Sequence, residues 1–224
     1  MTATVSAAPQ QESGSLVRSL AWATLAGLAG YLAIDVLLAF LRPSYSLLYN
    51  AESDYGRGPW FWVMDLNFLL RCALSLAFCL AITKGARLDG RTRAGVFLLA
   101  IWAVCSGLLA FFADDLEGQP QHGSGLVHLG LAFVAFASVM VGTVLISVAW
   151  RADQRRRAAG TVLLVLSLAG VLGFLLLGHA TGHPHAPGGL YERIFLGLEL
   201  GWMAVAAGHL AMIGHLRRAS LPLR

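Results

Sequence analysis

Nine side chains set in or beside long apolar runs have the types and spacing to do chemistry: Asp35, Asp65, Asn67, Arg71, Asp114, His128, Glu192, Arg193 and Glu199. At ~1.5 Å of helical rise per residue, Arg71 and Glu199 lie roughly 15–18 Å deep, Asp35 and Asp65 about 9 Å, and His128 and Glu192 about 5 Å. An ionised group facing lipid near the midplane costs about 2.5–3.5 kcal/mol on the gentlest scale. Arg71 should therefore face the bundle interior, and Glu199 is the acid at matching depth. Asn67, Arg71 and Ser75 are spaced i, i+4, i+8 and share one helical face, and Glu192 and Glu199, at i and i+7, share another. The spacing predicts a polar funnel that narrows to an Arg71–Glu199 pair. Arg71 would meet an anionic group, and His128 beside Asp114 would hold or pass a proton. The competing reading is an ion pair that only fixes helix register.

A metal is the second chemistry these residues allow. Asp114, His128 and His179 are ligand types that zinc accepts. His122, His183 and His185 lie nearby. His179 and His183 are at helical i, i+4 spacing, yet His183 precedes Pro184, which disfavours helix, and Gly178 and Gly182 weaken it further. A solvated, histidine-rich loop is the alternative. The cysteines Cys72, Cys79 and Cys105 form no CxxC pair and read as apolar packing residues.

The elements that must position these groups follow from composition. The chain has 224 residues, 57% hydrophobic and 12% charged, against about 25% charged in an average soluble domain. That excludes a soluble globular domain, a disordered chain and a nucleic-acid-binding module. A spanning helix needs about 20 mostly apolar residues. Six blocks qualify, at 17–41, 59–82, 94–114, 125–150, 158–178 and 189–214. They are continuous rather than alternating, so they are helices and not strands. The fold class is therefore all-α, a polytopic bundle of six transmembrane helices over residues 16–216. Residues 1–15 read as a disordered tail and 217–224 as a short basic tail.

Charge sets orientation. Arg18, Lys84, Arg87, Arg91, Arg93, Arg151, Arg155, Arg156, Arg157, Arg217, Arg218 and Arg224 fall on one side, and only Arg42, Arg57 and Arg193 on the other. The positive-inside rule then predicts both termini in the cytoplasm of a multi-pass inner- or plasma-membrane protein. The acids Glu52, Asp54, Asp115 and Glu117 collect on the outer side. Tyr45, Tyr49, Tyr55, Trp60 and Trp62 read as an outer aromatic belt, with Trp150 at the inner edge. Gly197, Gly201, Ala204 and Gly208, and Ala26 with Gly30, form small-residue faces suited to bundle packing or to a dimer.

Several functions are excluded or disfavoured, haem binding being among the disfavoured. Lys84 is the only lysine and lies between spans, so no retinal Schiff base can form. No Walker or GxSxG motif is present. Bis-histidine haem needs facing histidines at similar depth, and only His128 and His179 approach this, both at the outer edge.

The chain resembles the bacterial and archaeal membrane family known as domain of unknown function 998. The resemblance rests on AESDYGRGPWFWVMDLNFLLRCALSLAF (51–78), FFADD (111–115), VHLGLAFVAF (127–136) and GGLYERIFLGLELGW (188–202). It implies Asp114, His128, Glu192 and Arg193 as the family's polar positions, whereas Arg71 stands where the family has a small residue. A more distant similarity is to the alkaline ceramidase and adiponectin-receptor superfamily, which holds zinc for amide hydrolysis. This chain differs in having six spans and no HxxxH in the last one.

The leading expectation is a membrane protein whose outward-facing polar cavity binds or conducts a small polar or amphipathic ligand, a lipid head group among them. The alternative is a metal-dependent hydrolase of lipid amides or esters.

Overall fold

Six α-helices account for most of the chain: α1 (Ala8–Leu41), α2 (Phe61–Gly85), α3 (Gly90–Leu109), α4 (Ser124–Ala152), α5 (Arg157–Ala180) and α6 (Gly188–Ala219). The structure, a computed structural model, describes residues 8–115, 122–180, 183 and 185–219, with side chains described within 14–212. Each of the six helices is long and apolar enough to cross a membrane. Among the described residues there is no strand. An α-helix satisfies its own backbone groups, which lipid requires of a spanning segment. The chain is an all-α, multi-pass membrane protein. α1 begins at Ala8, inside the stretch expected to be a tail, and its apolar part starts at Gly14. Glu117 and Arg224 lie outside the described residues, as do the side chains of Arg217 and Arg218.

Each helix packs on the next in sequence, and α6 returns to α1 to close the ring. α6 also touches α2 and α4. Its inward face is aromatic: Phe195 packs edge-on to Phe136 (4.9 Å between ring centroids), and Trp202 edge-on to Phe78 (5.8 Å). The buried indoles find acceptors, as such groups must. Trp202 Nε1 donates to Ser147 Oγ at 2.8 Å, and Trp102 Nε1 to Ser75 Oγ at 3.2 Å.

Close helix approaches lie elsewhere than the small-residue face of the sixth span led us to expect. One is between α3 and α4, where a Cβ on Gly95 would come within 2.5 Å of Ile146 and 2.9 Å of the Gly142 carbonyl, and another between α4 and α5, where a Cβ on Gly160 would come within 2.3 Å of the Arg151 backbone nitrogen. At Gly197, Gly201 and Gly208 a Cβ would meet nothing within 4 Å. α6 buries Phe195, Trp202 and Met203, and that turns its glycine face outward.

Three further expectations are corrected. α3 ends at Leu109, so Asp114 stands in the following loop rather than in the helix. Tyr55 and Trp150 are not interfacial anchors, being only 1% and 2% exposed. Tyr55 is drawn in because the connection after α1 does not stay at the surface. It dips into the bundle as a short 3-10 helix, Glu52–Gly56, with Glu52, Ser53, Asp54 and Tyr55 all buried. A second apolar cluster of Leu38, Tyr55, Val63, Met64, Phe68 and Leu109 surrounds it. Irregular backbone at membrane depth is tolerated only where protein covers it, and here protein does.

Candidate functional site

The inward turn is held by the start of α6. Leu190 N donates to the Leu48 carbonyl at 3.0 Å. Arg193 Nη1 donates to the carbonyls of Asn50 (2.7 Å) and Leu47 (3.2 Å). The Asn50 carbonyl comes so close to Gly189 that a Cβ there would overlap it, so only glycine fits. Asn50 Nδ2 in turn donates to Asp54 Oδ2 at 3.0 Å. At the far end of the turn, Gly58 takes φ +68°, the left-handed region that suits glycine.

This anchoring delivers Glu52 to the head of a buried polar chain. The Glu52 backbone N–H donates to Glu192 Oε2 at 2.7 Å. Its side-chain Oε1 accepts a short hydrogen bond from the Tyr31 hydroxyl on α1. The same hydroxyl accepts from Arg71 Nη1 on α2 at 3.1 Å, and Arg71 Nε donates to Ser106 Oγ on α3 at 3.2 Å. The guanidinium carbon also lies 4.9 Å from the Trp102 ring, 5.2 Å from Phe68 and 5.6 Å from Tyr31. A desolvated cation–π contact is worth about 2 kcal/mol. Rings and hydroxyls together offset the cost of a 1%-exposed cation at that depth. Tyr31 sits ten residues before the end of α1, so the chain of bonds reaches well below the bundle's end. Burial, reinforced by the nearby Asp35 carboxylate, pushes the Glu52 carboxyl above the ordinary glutamate range, against the opposing pull of Arg71, Tyr31 and Arg193. Burial likewise raises the Tyr55 phenol, while the adjacent Arg193 lowers it.

One turn before Arg71 on the same face, Asn67 is completely buried, and neither its Nδ2 nor its Oδ1 has a hydrogen-bond partner. An amide left so costs about 1–3 kcal/mol per unsatisfied group. Asp35 is half-buried with Oδ1 likewise unpartnered, in electrostatic range of Glu52 and Arg193. Asp65 is half-buried on α2 and joins none of these contacts.

A second cluster closes the same end. His128 Nδ1 lies 2.7 Å from the Phe112 carbonyl. A carbonyl only accepts, so that nitrogen carries the proton. Nε2 then faces Asp114 Oδ2 at 3.8 Å, where a second proton would sit. Ser53 Oγ donates to Asp114 Oδ2 at 3.2 Å, tying this cluster to the inward turn. Arg57 pairs with Asp115 at 2.9 Å.

The Arg71–Glu199 pair is not formed. Glu199, 2% exposed, lies against Gly170 of α5 with no hydrogen-bond partner on either oxygen, and Thr143 is its polar neighbour. The Thr143 hydroxyl is occupied, donating to the Met140 carbonyl at 3.1 Å. Matching depth placed the two charges on one level but not on one side of the ring. The metal trio does not gather either. His179 stacks on His183, with centroids 4.1 Å apart, and His183 Nδ1 donates to the His179 carbonyl. Among the described residues, no three His, Cys, Asp or Glu side chains converge in a metal-binding arrangement.

Sequence reasoning missed Tyr31, Glu52 and Ser106 as members of the site. A signal existed for the first. Tyr31 and Asp35 are spaced i, i+4 in an otherwise apolar span, so they share a face. Nothing in the sequence showed that Glu52 folds inward.

Neither a curated protein nor a solved structure matches the chain significantly. The family model described as protein of unknown function DUF998 matches residues 25–209, which include every residue of the buried chain and of the His128–Asp114 cluster. The chain therefore belongs to the DUF998 family of proteins of unknown function.

Proposed function

We propose that the buried polar chain is a binding or conducting site for a small polar or amphipathic ligand with an anionic group, such as a lipid head group. In this reading the protein lies in the inner or plasma membrane with both termini in the cytoplasm, and the site opens outward under the Glu52–Gly56 turn. The arginine-rich connections after α2 and α4 support that orientation. The observation that carries the reading is Asn67. A fully buried amide with neither polar atom partnered, one turn from a buried guanidinium, calls for a polar group that the protein does not itself supply. Arg71 supplies the charge for an anion, and Asn67 a donor and an acceptor. Glu52, Glu192 and the His128–Asp114 cluster accept or release protons as the ligand's charge arrives.

The test uses detergent-purified protein and n-dodecyl phosphate as the anionic amphiphile. The amphiphile should raise the thermal midpoint of the wild type and leave that of Arg71→Leu unchanged. An equal shift in both proteins, or none in either, contradicts the reading.

A further inference from the structure

The opposite, arginine-rich end of the bundle carries a cavity of about 400 Å³ between the α2–α3 connection and the end of α4. It belongs to no part of the buried chain described above. Two cations and two anions line it: Arg87 and Arg156, Asp89 and Asp153. Trp150 contributes an apolar wall.

Its charged groups are set by the fold. Arg156 is 8% exposed, with Nη2 donating to the Gly85 carbonyl at 2.7 Å and its guanidinium over the Trp150 ring at 5.1 Å. Asp89 caps α3, with Oδ1 accepting from Thr92 N at 2.8 Å. That bond holds its carboxyl below the usual range, so it stays charged. Asp153 Oδ1 accepts from Arg155 N at 3.0 Å. The Trp150 indole N–H, on a residue 2% exposed, has no hydrogen-bond partner. A buried indole N–H normally finds an acceptor.

We infer that this cavity binds a zwitterionic phosphate–ammonium group of the phosphoethanolamine type. The phosphate would lie toward Arg87, Arg156 and the Trp150 N–H, and the ammonium toward Asp89 and Asp153. The volume falls within the usual range for small-ligand sites, about 300–1,000 Å³. Four charges that sum to zero around one cavity suit a ligand bearing both signs better than a simple anion. A primary ammonium brings three donors to two carboxylates, and a quaternary ammonium brings none. The cavity lies where spanning helices end, at head-group level, so a phospholipid is the nearest source of this group. The free ester shares the same chemistry.

Native mass spectrometry of the full chain, released from micelles holding equal amounts of phosphatidylethanolamine, phosphatidylcholine and phosphatidylglycerol, tests the inference. Wild-type protein should retain phosphatidylethanolamine about fivefold over the other two. Asp89→Asn with Asp153→Asn keeps side chains that can cap while removing both negative charges. That variant should lose the preference over phosphatidylcholine and gain phosphatidylglycerol. Arg87→Gln, at an exposed position, should weaken retention of all three. Equal retention by the wild type together with no binding of soluble phosphoethanolamine, or an unchanged preference in the double variant, would overturn the inference. Soluble phosphoethanolamine separates the sources. Displacement of the retained lipid by the free ester supports head-group recognition, and binding of the ester with no lipid preference assigns the site to the free ester. Lipid retention undiminished at saturating ester would overturn a head-group site.

Discussion

The Arg71 guanidinium donates to the Tyr31 hydroxyl at 3.1 Å, and among the described residues no carboxylate lies within ion-pair distance of it. A phenol therefore stands between a buried cation and the Glu52 carboxylate beyond it. One hydroxyl both accepts and donates, and this single atom couples α1, α2 and the inward turn.

Replacing that hydroxyl isolates its effect. Tyr31→Phe keeps the ring beside Arg71 but leaves the guanidinium and Glu52 each one hydrogen bond short. The expected cost is about 1–3 kcal/mol, read as a lowered midpoint in denaturant titration of the micellar protein. An unchanged midpoint would mean that the hydroxyl is not part of the network.

The raised Glu52 carboxyl makes stability depend on pH. Its folded-state pKa lies above the ordinary value of 4.5, mainly through burial. Below the ordinary value the carboxyl is protonated in both folded and unfolded states and imposes no penalty. As pH rises from there through the folded-state pKa, the unfolded chain releases its proton first, and stability falls. Thermal midpoints measured across that range should decline for the wild type and decline less for Glu52→Gln. Superimposable profiles would mean that Glu52 does not carry this pH dependence.

Glu199 and Arg71 share no partner, so their substitutions should act independently. Arg71→Leu and Glu199→Gln should combine additively, within about 0.5 kcal/mol, in a double-mutant cycle. A larger coupling energy would restore the direct pair that the sequence suggested.

The glycines separate close approach from open face. Gly95→Ala should destabilise by about 1–3 kcal/mol, because its Cβ would meet Ile146 and the Gly142 carbonyl, and backbone cannot step aside. Gly201→Ala should be neutral or slightly stabilising, since a Cβ there meets nothing within 4 Å and alanine favours helix. Unfolding midpoints of the two variants decide this.

Much of the architecture was legible because lipid leaves so few options. Six uninterrupted apolar blocks could only be six helices, and their lengths fixed the count. The polar residues Asn67, Arg71, His128, Glu192 and Glu199 were singled out for their depth in the spans, and all five are buried in the bundle. Their partners were not legible. Depth is a single coordinate along the bilayer normal, and it could not say that Arg71 faces α1 and α3 while Glu199 faces α5. The larger omission was the segment around Glu52. Its polar composition reads as a surface loop, whereas contacts from residues far away in sequence, those of Arg193 and Gly189 on α6 among them, hold it inward. Tyr55 was misplaced for the same reason, since an aromatic ring near a span end suits either a belt or a plug.

A ligand group bound by the buried polar chain must sit beside Asn67 and Arg71. An experimental density map of the protein in nanodiscs containing an anionic amphiphile tests this placement most directly. Ordered non-protein density is expected within hydrogen-bond distance of the Asn67 amide, extending to the Arg71 guanidinium. Protein atoms alone satisfying the Asn67 amide, with no non-protein density beside Arg71, would contradict it.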